Sequence, residues 1–321
     1  MKKRIILIGC GEIGSRHLQA LAKLSEPIDI EIIEPKENAI KIAKQRLKEI
    51  REHENHSYFW HNSIEQSKSQ SDLIIISTTA KNRVTIICNL LKKGHKKFFI
   101  EKMVCQTISD YDLLMKEIKN KNAKCWVNLV RRYFPIYQEI KELIFDKNPT
   151  QISVIAGNNG LGTNAIHYLD LFTWLNNDNQ ISLDGTLLNN SIFPNKRGTN
   201  LVEFNGTIIG KAKNNSSINI SFIPKSTSPI IINIKNKNNL MIYDEYNMKI
   251  FMKDSKIQES NFKYEHVSNT TTRIVEDIFK KDTCLLPNLE DLYNVHNKLL
   301  EIFTLHLNKV TGKSEKVCLI T

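Results

Sequence analysis

Short unbroken apolar runs alternate with amphipathic ones through the first 125 residues. Ile5–Ile8, Ile28–Glu34, Asp72–Ser77, Lys97–Ile100 and Lys124–Leu129 are rich in Ile, Leu, Val and Phe. Continuous apolar runs of that length suit strands covered on both faces. Between them, Arg16–Lys23, Ala39–Ile50, Val84–Lys92 and Asp110–Asn120 read as helices. In the second of these, Ile40, Ala43, Leu47 and Ile50 share one face. Tyr58–Trp60 predicts one more short strand. Strands alternating with helices predict a parallel, doubly wound sheet.

The pattern changes after about Leu129. Ile136–Phe145 predicts a helix, Ile152–Ile155 a strand, Gly157–Gly162 a loop and His167–Leu175 a helix. Short β-like runs follow at Ile181–Leu188, Leu201–Phe204, Thr207–Gly210, Ile218–Phe222, Ile230–Ile234, Leu240–Tyr243 and Lys249–Met252. Asn-rich turns between them favour hairpins. Two helices, Thr271–Lys280 and Leu289–Leu307, close the chain. The expected organisation is α/β in residues 1–125, then an α+β domain in 126–321 with a large, mostly antiparallel open sheet.

The first strand runs into Gly9-Cys10-Gly11-Glu12-Ile13-Gly14, a Gly-x-Gly-x-x-Gly turn that opens a helix. Gly9 permits the tight turn, Gly11 leaves room for a pyrophosphate, and Gly14 lets helix and strand pack closely. The helix N-terminus, with Glu12 and Ile13 in its first turn, offers free N–H groups to phosphate. The second strand ends in Glu34, placed to accept hydrogen bonds from an adenosine ribose diol. Its carboxylate would repel a 2′-phosphate. The first domain is therefore expected to be a Rossmann domain, with NAD rather than NADP as cofactor.

Composition narrows the picture. A chain of 321 residues suggests about two domains, and 41% hydrophobic residues suffice for real cores. No apolar run reaches the roughly 18 residues that suggest a membrane span, so no membrane partner is expected. Met1-Lys2-Lys3-Arg4 precedes too few apolar residues for a signal peptide, and a cytoplasmic location is expected. Six cysteines without a Cys-x-x-Cys pair read as reduced and structural. His53, His56 and His61 read as a solvated connection, so no metal is expected. The net charge of +11 is spread along the chain without a basic stripe. A phosphate-bearing small molecule fits it better than nucleic acid.

Three further segments carry chemistry. Glu101-Lys102-Met103 follows a parallel strand. Val127-Asn128-Leu129-Val130-Arg131-Arg132-Tyr133-Phe134-Pro135 comes next, then His167-x-x-Asp170-x-x-x-Trp174. Together with the glycine turn, their order resembles the glucose–fructose oxidoreductase / inositol dehydrogenase (Gfo/Idh/MocA) family over nearly the whole chain. The resemblance implies NAD(P)-dependent oxidation or reduction of a sugar, cyclitol or related carbonyl compound. It also implies a homodimer or tetramer formed through the second domain's sheet. Surface-glycan sugar biosynthesis is the expected setting; an NAD-binding regulatory or scaffold protein with a degenerate site is the alternative.

The residues have separate readings. A lysine at a strand's carboxyl end, such as Lys102, can polarise a substrate oxygen; read alone it is an ordinary surface residue, and the resemblance implies catalysis. His167 is either a core histidine or a general acid/base. Asp170, on the same helix face, could orient it. Arg131 and Arg132 read equally as anion binders for substrate or as packing between domains. Thr78, Thr79, Asn82 and Glu101 are expected at the cofactor, with Arg83 a weaker candidate. Asn128, Thr163 and Asn164 are expected at the substrate. Two departures stand out: Met103 replaces the family's proline, and Thr163 stands where family members carry an aspartate.

Overall fold

The first apolar runs become parallel strands buried on both faces. The computed structural model describes residues 2–50, 54–67, 70–143, 148–157, 159–195, 198–252, 258–259 and 267–321; His53 lies outside them. In chain order the first elements are β1 (Lys3–Ile8), α1 (Glu12–Leu21), β2 (Ile28–Ile33), α2 (Glu37–Lys48), β3 (Ser57–His61), β4 (Leu73–Ile76), α3 (Arg83–Lys92), β5 (Lys97–Ile100), α4 (Ile108–Asn120) and β6 (Lys124–Val127). The six strands form one parallel sheet in the order β3-β2-β1-β4-β5-β6. Strand order reverses between β1 and β4, the switch point where such sheets bind ligands beyond their carboxyl ends.

The later elements are α5 (Pro135–Leu143), β7 (Gln151–Ala156), α6 (Leu161–Asn176), β8 (Ile181–Asp184), β9 (Leu188–Asn195), β10 (Gly198–Ala212), β11 (Ser217–Phe222), β12 (Ile231–Lys235), β13 (Leu240–Asp244), β14 (Lys249–Met252), β15 (Gln258–Glu259), α7 (Val267–Lys281) and α8 (Leu289–Thr311). Their sheet runs β15-β14-β13-β12-β7-β11-β10-β8, with β9 also paired to β10. β7 and β11 pair in parallel; the other pairs are antiparallel. β7, β11, β12 and β13 alternate buried and more exposed residues, so one face packs on the core and one is open.

Two expectations change in this sheet. Leu201–Phe204 and Thr207–Gly210 are parts of the single strand β10. The register shifts between Phe204 and Gly206, whose φ of +104° only glycine adopts without strain, so Asn205-Gly206 is a bulge rather than a turn. Conversely, the run Ile181–Leu188 divides at Gly185 into β8 and β9.

The chain forms two compact units: Met1–Cys105, Ser109–Val130 and Glu265–Glu290 make the first; Gln106–Ile108, Arg131–Tyr264 and Asp291–Thr321 make the second. Helix α7 thus returns to the first unit late in the sequence and packs on α1.

Candidate functional site

In the first unit the glycine turn has the geometry a dinucleotide requires. Gly9 has φ +83° and donates its N–H to Ile33 O at 2.9 Å. A Cβ on Gly14 would collide with Gly9 O and lie 2.6 Å from Ser77 Oγ, whereas one on Gly11 would meet nothing within 4 Å. Space is thus closed where helix meets strand and open where a pyrophosphate would lie. No side chain caps the N-terminus of α1, so its first N–H groups face outward. Arg46 binds both Glu12 oxygens, at 2.7 and 2.9 Å, and Ser15 Oγ at 2.7 Å, tying α2 to this turn.

Glu34 is buried beside the turn. Its Oε2 accepts from Cys10 N at 2.7 Å and its Oε1 from Lys36 N at 3.0 Å. Beyond β4, Ser77 Oγ donates to Gly9 O at 2.6 Å. Thr78 Oγ1 is buried without a hydrogen-bond partner among the described residues, while Thr79 and Asn82 are exposed. Arg83, a candidate for cofactor contact, instead braces the loops: its guanidinium donates to the carbonyls of Thr78, Glu101 and Met103.

Glu101 and Lys102 sit at the carboxyl end of β5. Lys102 is buried, and the Lys102–Met103 peptide is cis. Glu101 Oε1 accepts from His17 Nε2 at 2.9 Å and from Asn128 Nδ2 at 2.5 Å. Burial alone would raise the Glu101 carboxyl, but the hydrogen bond and charge of His17, then Asn128 and Lys102, hold it down at about 2. Around the turn, an open Gly11, an unpartnered Thr78 hydroxyl, a ribose-side Glu34 and an ionised Glu101 fit a dinucleotide.

The second unit holds the remaining candidates. Helix α6 is buried nearly all round, but Thr163, Asn164 and His167 form a half-buried polar stripe at its start. Asn164 Nδ2 donates back to Asn159 O and Gly160 O, at 2.6 and 2.9 Å. Thr163 donates its N–H, at 3.3 Å, and its hydroxyl to the buried Glu203. Asn195 Nδ2 joins them, 2.7 Å from Glu203 Oε1 and 2.9 Å from Thr163 Oγ1. Thr163 itself has no charge, yet β10 brings a carboxylate to it.

Asp170 does not take the expected place beside His167. Both of its oxygens accept from Arg132, at 2.5 and 3.1 Å, a bidentate match that a helical i,i+3 neighbour does not offer. Burial pushes the Asp170 carboxyl up, against the pull of Arg132. Arg131 is likewise bound to Glu245, at 2.9 and 2.8 Å, and stacks over Tyr168. Both guanidinium groups are therefore committed to buried carboxylates within this unit.

His17, Glu203, Asn195 and Glu245 carry no local signature in the sequence. The one available signal was His17 itself, a polar residue on the apolar face of α1 beside Leu18 and Leu21. Among the described residues no three His, Cys, Asp or Glu side chains are grouped to hold a metal, and no helix is long and apolar enough to cross a membrane.

Residues 3–129 match the family model described as the oxidoreductase family, NAD-binding Rossmann fold (GFO_IDH_MocA). Myo-inositol 2-dehydrogenase of Thermotoga maritima is 25% identical over 141 residues, which span 44% of this chain and 40% of that relative. Among solved structures, an oxidoreductase from Agrobacterium radiobacter in complex with NAD+, L-tartaric acid and magnesium has a TM-score of 0.72 at 13% identity, with 98% of each chain covered. UDP-N-acetylglucosamine 3-dehydrogenase GnnA from Acidithiobacillus ferrooxidans has a TM-score of 0.70 at 14% identity, covering 94% of this chain and 97% of its own. At these identities the structural likeness establishes the fold alone.

Proposed function

Residues 3–129 match the Gfo/Idh/MocA model of NAD-binding oxidoreductases, and from that premise we propose that this chain is a member of that family, an NAD-dependent dehydrogenase or reductase acting at a hydroxyl- or keto-bearing carbon of a sugar-like substrate. The observation that carries the reading is the carboxyl edge of the first sheet. There the glycine turn, Glu34 and the Glu101-Lys102 pair lie around one switch point. Bound NAD would supply a hydride acceptor or donor at its nicotinamide ring. The N–H groups of the glycine turn would hold the pyrophosphate, and Glu34 the adenosine ribose. Lys102 would bind the reacting oxygen and stabilise negative charge on it. His167 would take or return the proton of that hydroxyl. Surface-glycan sugar biosynthesis in the cytoplasm, and a homodimer or tetramer built through the open sheet, complete the proposal.

Two binding and kinetic measurements test it. Fluorescence titration should show tighter binding of NADH than of NADPH; the reverse preference overturns the role of Glu34. With a panel of cyclitols and nucleotide sugars, Lys102→Ala should cut kcat about 10²- to 10³-fold while NADH still binds. The uncharged Thr163 favours one competing reading, a regulatory or scaffold protein that binds NAD without turnover. That reading requires the Lys102→Ala variant to keep its ligand response unchanged.

A further inference from the structure

At the carboxyl end of β5, Glu101 is held by one oxygen only. His17 Nε2 and Asn128 Nδ2 both donate to Oε1, and Oε2 takes no hydrogen bond from the described residues. An ionised carboxylate only accepts, so the Asn128 atom facing it must be the amide nitrogen. The Asn128 carbonyl oxygen is thereby turned the other way. It is buried and has no hydrogen-bond partner among the described residues, although Asn128 as a whole is 4% exposed. A buried acceptor without a donor is costly unless a ligand supplies one.

His17 fixes this arrangement. It is 1% exposed and packs edge-on against Phe99 of β5, with ring centroids 5.3 Å apart. Its Nδ1 lies 2.8 Å from Thr271 Oγ1 of α7. With Nε2 donating to Glu101 and Nδ1 paired with the Thr271 hydroxyl, both nitrogens are engaged and the ring cannot turn. His17 stands on α1, the helix whose first turn faces the expected pyrophosphate.

Strand order says which part of the cofactor these acceptors meet. Glu34 at the end of β2 would take the adenosine ribose and the loop after β1 the pyrophosphate. In the order β3-β2-β1-β4-β5-β6, the rest of the dinucleotide must extend over β4 to β6. Glu101 and Asn128 end β5 and β6. We infer that His17 is a positioning residue for the cofactor: it holds Glu101 and, through it, the Asn128 amide, so that Glu101 Oε2 and Asn128 Oδ1 accept from a donor on the nicotinamide–ribose half. The donors are ribose hydroxyls or the carboxamide NH₂. The inference rests on the dinucleotide reading above.

The experiment compares NADH with ADP, which lacks both the nicotinamide and its ribose. Dissociation constants are measured on the full chain for wild type, His17→Ala, His17→Gln and Asn128→Ala, with melting temperatures alongside. His17→Ala and Asn128→Ala should each weaken NADH binding about 10-fold or more, the worth of a charge-assisted or buried hydrogen bond. ADP affinity should stay within about 2-fold, because Glu34 and the glycine turn are untouched. His17→Gln keeps a donor that can reach Glu101 and should recover part of the NADH affinity; it also decides the matter if His17→Ala does not fold. Equal losses for NADH and ADP would mean only a loosened α1 and would overturn the positioning role. Unchanged NADH affinity in the His17 variants would overturn it too, while leaving the dinucleotide reading intact. Wild-type protein that binds neither ligand overturns the dinucleotide reading, and the positioning role with it.

Discussion

Glu101 is largely shielded from water yet remains charged, because two donors share one of its oxygens. Its carboxyl lies at about 2, against an ordinary value of 4.5. The depressed value makes the folded state the weaker proton acceptor. The contribution to stability is therefore complete above pH 4.5 and is lost as pH falls toward 2, on the order of 3 kcal/mol in all. Glu101→Gln should lower stability by a comparable amount at pH 7 and flatten the acid limb in denaturation curves at pH 3, 5 and 7. An unchanged acid limb would sink the assignment. The same network marks how far single residues could be read in advance. Gly9, Gly11, Gly14 and Glu34 announce themselves because their work is local or follows a known spacing. His17 does not, because it is defined by partners far along the chain, Glu101 and Thr271. Arg131 and Arg132 stayed open between anion binding and packing for the same reason: Glu245 and Asp170, which neutralise them, are distant in sequence.

Among the elements, α6 shows best how a helix becomes a candidate site. Its apolar residues bury it on almost every side, so the polar stripe Thr163, Asn164 and His167 is what remains to present. Glu203 places a carboxylate on the helix N-terminus, where partial positive charge favours it. Glu203→Ala should cost about 1–3 kcal/mol of stability and speed amide exchange at Thr163 and its neighbours in the first turn. Glu203→Gln, which still accepts from Thr163, should cost less; equal exchange in all three proteins would refute the anchoring. Most strands and helices of the first unit were legible, because each is one uninterrupted apolar or amphipathic run. β10 was not: Asn205-Gly206 has the composition of a turn, and only its cross-strand partners make it a bulge.

At the scale of the whole molecule, the second sheet leaves one face uncovered within its unit. Ile209, Asn219, Ser153, Asn233, Ile242 and Phe251 form one cross-strand row on that face, and Thr207, Ser221, Ile155 and Ile231 a second. Ile155, Ile209 and Phe251 are exposed, and small polar residues keep the middle flat. If this face pairs with a second copy, Ser153→Lys should convert the oligomer to monomer in light scattering without lowering the melting temperature. A wild-type chain that scatters as a monomer would refute that pairing. The alternation that makes such a face was legible in the apolar runs. The return of α7 to the first unit was not, since an amphipathic helix does not say which sheet it will cover. That return has a consequence for synthesis. The strands of the cofactor-binding sheet leave the ribosome first, yet His17 meets Thr271 only after nearly the whole second sheet has followed. The half of the protein that is translated earliest is thus among the last to be completed, and a nascent chain halted before α7 should bind NADH poorly.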